Sequence, residues 1–133
     1  MPLPVEIGTR LSTQGVTDST WDLQYLELQP QPDRAVAVIP SGGFEGMGWS
    51  TARKTALDQP TFQVVVRGQS TGLDTAYTKV EAVRTALDGF DGTLGSFRYT
   101  DIRQQSDILF LGRDENDRPL YALNFVALRS RTT

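Results

Sequence analysis

Cysteine and histidine are both absent from this chain of 133 residues. Without cysteine there are no disulfides, no thiolate nucleophiles and no Cys-type zinc sites, and the redox compartment cannot be inferred. Without histidine the chain lacks the side chain used most often for general acid–base catalysis near neutral pH, and the commonest nitrogen ligand of zinc and copper. The two absences together exclude much of enzyme chemistry.

The chain also lacks long apolar runs. Runs such as Val64–Val66 and Phe125–Leu128 contain only a few residues, whereas a helix that spans a bilayer needs about 20. Residues 1–6 show neither the basic start nor the apolar block of a secretory signal, and no lipidation motif is evident. We therefore expect synthesis in the cytosol and no association with a membrane.

An excess of positive charge is missing as well. Thirteen Lys and Arg residues stand against 16 Asp and Glu residues, a net charge of −3, so the long-range field does not attract phosphate backbones. This balance argues against a dedicated nucleic-acid binder. With 38% apolar and 22% charged residues, the composition is still far from that of a disordered protein, and the length suits one folded domain over residues 1–133.

One segment, between Ser70 and Gly89, has a strong helical pattern. Thr71 is predicted to cap its first turn together with Asp74, and Gly89 to end it in a left-handed conformation. Apolar residues recur at three- and four-residue spacings and predict one buried stripe. They are Leu73, Ala76, Tyr77, Val80, Val83 and Leu87.

Several other segments have the pattern of strands. Phe62, Val64 and Val66 alternate with their neighbours in a run bounded by Pro60 and Gly68, and we expect the helix to pack on this apolar face. A second short strand is predicted upstream, and three later strands are predicted to form an antiparallel meander with a hairpin tip before the last one. These strands are Ala35–Ile39, Ser96–Ile102, Asp107–Gly112 and Leu120–Leu128, and the tip is Arg113–Arg118.

The first 28 residues have a weaker pattern. Trp21–Leu28 fits a strand or coil equally well. A short amphipathic helix is favoured by the apolar residues Val5, Ile7, Leu11 and Val16, although Gly8 and Gly15 weaken it. These predictions together give an α+β fold, with a mixed, mostly antiparallel sheet flanked by one long helix and one or more short ones.

Ser41–Gln59 is predicted to be a long loop, because it contains four glycines and no convincing strand. Large apolar side chains in such a loop must either fold back on the core or bury against a partner, and the sequence favours neither outcome. In the second case we expect basic residues of the loop to add polar contacts. The candidate interface residues are Phe44, Met47, Trp49, Arg53 and Lys54.

No catalytic, metal or cofactor site can be assembled from the sequence. The glycine cluster Gly42–Gly48 is not followed by Gly-Lys-Ser/Thr and lacks the third glycine of a dinucleotide fingerprint. The acidic run Asp114–Asp117 lacks the ligand pattern of a calcium loop. Most other aspartates lie beside turn residues, where Asp is favoured for structural reasons. We expect no enzyme activity and no cofactor, with carboxylate-based metal hydrolysis as the serious alternative.

The order of these segments resembles the tail terminator or tail-completion proteins of long-tailed bacteriophages, some of which are described as minor capsid proteins. The resemblance runs through most of the chain, and the ordered set carries it rather than any single motif. Its parts are Pro30-Gln31-Pro32-Asp33, the strand Ala35–Pro40, Ser41-Gly42-Gly43, the strand Pro60–Gly68 ending in Arg67-Gly68, and the helix closing on Ala86-Leu87-Asp88-Gly89.

The resemblance implies a structural virion protein without a cofactor. It implies a hexameric ring that lies on the last ring of the tail tube, stops tube growth and joins the tail to the head, after assembly in the host cytoplasm. The implied partners are further copies of the chain, the tail tube protein and a head-connector or head-completion protein, with the genome passing through the lumen without sequence-specific binding. The alternatives are another phage head–tail connector or capsid accessory protein, and, in a different class, a carboxylate-based enzyme or a binding module.

Overall fold

The computed structural model of the protein describes residues 3–44, 57–95 and 97–131, which form two helices and seven strands. This is the α+β class that the sequence predicts. In chain order the elements are helix α1 (Leu3–Thr13), strands β1 (Asp22–Tyr25), β2 (Ala35–Phe44) and β3 (Leu57–Arg67), helix α2 (Leu73–Leu87), and strands β4 (Gly92–Leu94), β5 (Phe97–Gln104), β6 (Leu109–Arg113) and β7 (Pro119–Arg131).

The strands form one mixed, mostly antiparallel sheet in the order β1-β2-β3-β7-β5-β4, with β6 also paired to β7. Strand β1 is parallel to β2, and every other pair is antiparallel. The long strand β7 has three neighbours. β3 pairs along one of its edges, while β6 and β5 share the other edge, opposite Pro119–Ala122 and Phe125–Arg131 respectively.

The predicted meander is therefore wrong in one respect. β6 and β7 form the expected hairpin, but β5 pairs with β7 and not with β6. Strand β6 has 5 residues and β7 has 13, so β6 covers only the first part of that edge. The rest of the edge pairs with β5, because unpaired backbone N–H and C=O groups inside a sheet are costly.

Both helices pack on one face of the sheet. Phe62, Val64 and Val66 are buried in the same apolar cluster as Val80 and Val83 of α2, which confirms the predicted packing of this helix on β3. The first part of the predicted stripe is different. Leu73 and Tyr77 are 40% and 43% exposed, and the Tyr77 ring packs edge-on against the ring of Tyr121 in β7.

The helix ends agree only in part with the prediction. Thr71 does not cap α2, since Gly72 occupies the N-cap position and no side chain bonds to the first turn. Gly89 has a φ of +80° just after the helix, as predicted. Helix α1 is confirmed, and Gly8 allows it to approach β1, because a Cβ at this position would lie 2.9 Å from side-chain atoms of Leu23 and Tyr25.

The loop predicted at Ser41–Gln59 is wrong at both ends, where the described residues are strand. Strand β2 continues to Phe44 and β3 already begins at Leu57, with Gly43 opposite Pro60 and Phe44 opposite Gln59. A bulge beside Gly42, which has a φ of +106°, lets β2 continue past Pro40. Backbone pairing across the hairpin thus overrides the weak strand propensity of the glycines.

Candidate assembly surfaces

The predicted interface residues lie at or beyond the end of the β2–β3 hairpin. Phe44 is the last residue of β2, and its side chain lies outside the described residues, as do Met47, Trp49, Arg53 and Lys54. The described arms place the hairpin end beside the C-terminal half of β7, where Asp58 pairs in register with Arg129. The contacts of these five residues therefore stay a prediction.

Two buried arginines hold the connection between β1 and β2. Arg67 follows Val66 along β3 and so points away from the helices. Its Nε donates to the carbonyl oxygen of Asp33 at 2.9 Å and an Nη donates to that of Pro32 at 2.5 Å. Arg118 donates to the carbonyl oxygen of Pro30 at 2.6 Å and lies 3.2 Å from an Asp33 carboxylate oxygen. The segment 30–33 is thus fixed on the helix-free face of the sheet.

The same cluster orders the β6–β7 hairpin tip. Arg118 Nε donates to the Asp114 carboxylate at 2.8 Å, and the backbone N–H groups of Arg118 and Asn116 donate to its other oxygen. Burial alone would raise the pKa of Asp114, but these hydrogen bonds and the charge of Arg118 together lower it. The acidic run at the tip is therefore a folded turn whose first carboxylate is already paired.

A second buried polar cluster lies between α1 and the sheet. Glu6 of α1 is fully buried, and its Oε1 accepts a hydrogen bond from the Tyr99 hydroxyl at 2.5 Å. Arg129 Nη1 lies 3.4 Å from the same oxygen, and Arg129 Nε lies 3.7 Å from the Asp58 carboxylate. The other carboxylate oxygen, Oε2, is buried without a hydrogen-bond partner among the described residues.

Burial dominates the protonation of this cluster. Loss of solvation raises the pKa of Glu6 above its ordinary value, although the Tyr99 hydrogen bond and the charge of Arg129 oppose the shift. Burial and the neighbouring carboxylate likewise raise the pKa of Tyr99. The cluster joins α1 to β3, β5 and β7 through Glu6, Asp58, Tyr99 and Arg129.

Exposed large apolar side chains are concentrated in two places within the described residues. The first, the β1 patch, consists of Tyr25 at 40% and Leu26 at 61% exposure, at the end of β1. The second, the β6 patch, lies on β6 and the first turns of α2. In the strand order β1-β2-β3-β7-β6, this is the end opposite to β1. This patch consists of Leu73, Tyr77, Leu109, Phe110 and Leu111. Phe110 faces the helices together with Tyr121, whereas Leu109, in register with Ala122, faces the other side of the sheet.

The β6 patch is organised around one aromatic ring. The ring centroid of Tyr121 lies 5.2 Å from that of Phe110 and 5.7 Å from that of Tyr77, which are ordinary distances for interacting aromatic pairs. Leu109 and Leu111 are exposed as well, so β6 presents apolar side chains without a covering element in the described structure. Sequence analysis assigned this segment to a strand but missed the patch. The unbroken apolar run Ile108–Leu111 could have indicated it, because a strand with one buried face should alternate apolar and polar residues.

The described surface contains no evident catalytic or ligand site. A depression of about 330 Å³ lies between Trp21 and α2, but Lys79 at its wall already donates to the carbonyl oxygen of Val16 at 2.9 Å. Within residues 3–44, 57–95 and 97–131, no group of three or more acidic, His or Cys side chains is placed to hold a metal ion. Neither helix in these ranges is long and apolar enough to cross a bilayer.

Comparison with known proteins identifies the family. A profile described as bacteriophage tail terminator protein matches residues 10–130, and the chain therefore belongs to the bacteriophage tail terminator family of structural virion proteins. A chain from the solved structure of the virion of a native gene transfer agent particle has the same fold, with a TM-score of 0.74 at 19% identity over 96% of this chain and 93% of that one. Comparison with curated proteins finds no match.

Proposed function

We propose that this protein forms a hexameric ring that ends the tail tube and joins the tail to the head. The family match over residues 10–130 carries the proposal. The origin of the structurally similar chain in a virion is consistent with a place in an assembled particle. In this role the partners are further copies of the chain, the tail tube protein and a head-connector or head-completion protein, and the protein is located at the head–tail junction after assembly in the host cytoplasm.

A ring of this kind requires two unlike surfaces on each subunit. Head-to-tail contacts between different patches close into a ring when the rotation between neighbours divides a full turn. The β1 patch and the β6 patch are two such unlike surfaces, and each exposes large apolar side chains. The net charge of −3 suits a lumen through which the genome passes without strong binding to phosphate.

The tip of the β2–β3 hairpin is the proposed second contact region, between subunits or between stacked rings. Phe44, Met47 and Trp49 would serve as apolar anchors, with Arg53 and Lys54 as polar contacts. Ordering a glycine-rich segment costs conformational entropy, and aromatic side chains buried against a neighbour commonly offset such a cost. The role includes no catalysis, and the lack of histidine and cysteine supports that part of the proposal.

Mass in solution and electron microscopy test the ring directly. Light scattering over a wide concentration range should show a discrete oligomer of about six chains, the number that the proposal requires, and negative-stain images should show rings. Added to growing tubes of the cognate tail tube protein, the ring should arrest elongation at a fixed length. A protein that stays monomeric at high concentration and leaves tube growth unchanged would contradict the proposal.

A double variant tests the hairpin tip. Phe44→Ala combined with Trp49→Ala should keep the melting temperature of the wild type and lose the ring or the joining to heads. Asn116→Ala, on the exposed tip of the β6–β7 hairpin, is the matched control and should retain both. Loss of the fold itself in the double variant would assign these side chains to the core and reject the hairpin tip as an interface.

A further inference from the structure

The two apolar patches lie at opposite ends of one row of strands. The row is β1-β2-β3-β7-β6, in which β1 and β6 are the outermost members. In the part of the chain that the structure describes, β1 pairs only with β2 and β6 only with β7. Each therefore leaves one edge of backbone N–H and C=O groups without a strand neighbour, which is the feature that allows another strand to add.

The β6 edge has little of the protection that natural edge strands carry. Exposed edges usually bear charges or proline to prevent pairing with another chain. Between Asp107 and Arg113 the chain is uncharged, and Leu109, Phe110 and Leu111 are 42%, 54% and 51% exposed. One bulge near Gly112 is the only such device in this strand. An edge of this composition is expected to be covered in the working assembly.

Strand directions determine how a second copy could continue the row. β1 is parallel to β2, and the pairs β2–β3, β3–β7 and β7–β6 are antiparallel, so β6 runs opposite to β1. A neighbouring copy whose sheet continues the row in the same sense would therefore bring its β1 antiparallel to β6. The added strand would therefore form an antiparallel pair, like most pairs within the sheet.

Antiparallel placement also matches the side chains along the two edges. The end of β1, with Tyr25 and Leu26, would lie at the start of β6, beside Phe110. Tyr25 lies beside Gly8 of α1 and Phe110 beside Tyr121, so both point to the helix side of the sheet and would meet as apolar neighbours, which favours this strand over a polar one.

We infer that β6 of one copy pairs with β1 of the next and makes the sheet continuous around the assembly. This inference rests on the proposed ring and specifies the contact that builds it. The contact is heterologous, because β1 and β6 are different surfaces, so it extends from copy to copy until the ring closes. The right-handed twist between neighbouring strands supplies part of the rotation from one subunit to the next.

Disulfide trapping tests the contact without interference from native thiols, because the chain contains no cysteine. Tyr25→Cys combined with Phe110→Cys places thiols at both ends of the row, roughly 19 Å apart within one chain at about 4.8 Å per strand spacing. A disulfide needs Cα atoms about 4.4–6.8 Å apart, so only neighbouring copies can be joined. Oxidation should give a ladder of dimers, trimers and larger species up to the ring.

Matched variants determine whether the ladder is specific. Leu109→Cys and Leu111→Cys, each with Tyr25→Cys, cover the adjacent registers, whereas Thr93→Cys on the exposed face of the β4 edge, with Tyr25→Cys, should give no ladder. Rings of normal mass without any ladder through residues 109–111 would overturn this inference and leave the proposed function standing. A series that stops at the dimer, or a ladder through Thr93→Cys alone, would also overturn it. Absence of any oligomer would reject both proposals.

Discussion

Arg67 Nε donates a 2.9 Å hydrogen bond to the backbone carbonyl oxygen of Asp33, so the end of β3 holds the segment that precedes β2. These residues lie in two of the segments by which the sequence resembles the terminator family. An arginine with a planar fork can reach the carbonyl oxygens of Pro32 and Asp33 together. The contact therefore joins these two segments in the folded chain.

Replacing this arginine should therefore destabilise the fold. Arg67→Lys cannot satisfy both carbonyl groups and should lower the free energy of unfolding by about 2 kcal/mol, the typical cost of leaving a buried polar group unsatisfied. Urea unfolding measures the change. Arg103→Lys, at a guanidinium that is 75% exposed, is the control and should stay within about 0.5 kcal/mol of the wild type. Equal losses in the two variants would contradict this role of Arg67.

The core position Val80 gives the largest expected effect. Val80 is 1% exposed in the apolar cluster, and Val80→Asp places a carboxylate there without a partner. The cost of several kcal/mol is comparable to the whole stability of a small domain, so the variant should be unfolded by circular dichroism. Thr75→Asp, on the exposed side of α2, should fold normally. A Val80→Asp variant that melts like the wild type would show that α2 does not pack on this face.

Gly68 is expected to tolerate no side chain. A Cβ at Gly68 would lie 2.8 Å from the Cβ of Ala76 and 3.1 Å from the carbonyl oxygen of Gly72, so Gly68→Ala should cost about 1–3 kcal/mol by overpacking. Because the clash involves Ala76, the double variant Gly68→Ala with Ala76→Gly should lose less than the sum of the two single variants. Strict additivity in thermal unfolding would show that this contact does not set the cost.

The buried carboxylate of Glu6 should make stability depend on pH. Because burial raises its pKa above the ordinary value of 4.5, the stabilising contribution is full below that value and is lost as the pH rises through the folded-state pKa. Glu6→Gln has no charge to bury, so its stability relative to the wild type should increase between about pH 4 and pH 7. Denaturant midpoints across this range measure the difference.

Glu115→Gln is the control for net charge, because Glu115 is exposed on the surface hairpin. A difference between Glu6→Gln and the wild type that stays constant with pH would contradict the prediction. A second variant, Tyr99→Phe, removes the hydroxyl that donates to Glu6 and should lower stability most at the upper end of the range, where the carboxylate is ionised.

Local sequence pattern predicted the elements that depend on local interactions. The apolar spacing of α2 and the alternation of Phe62, Val64 and Val66 are set by 3.6- and 2-residue periods, and both elements form where the pattern indicates. Gly89 and the 113–118 turn are also local features, since glycine or a short polar turn can be recognised without knowing the partner. The five proposed loop residues came from composition alone and remain to be tested.

What only the tertiary structure decided is which distant segments meet. The sequence alone predicted an α+β fold and excluded chemistry that needs cysteine or histidine, because composition and periodicity are properties of the sequence itself. It could not determine that β5 and β6 share one edge of β7, that Glu6 is buried beneath Tyr99, or that β1 and β6 end the same row. Strand neighbours depend on pairing between residues far apart in the chain, and exposure depends on what else the folded chain covers, so neither can be read from a local pattern.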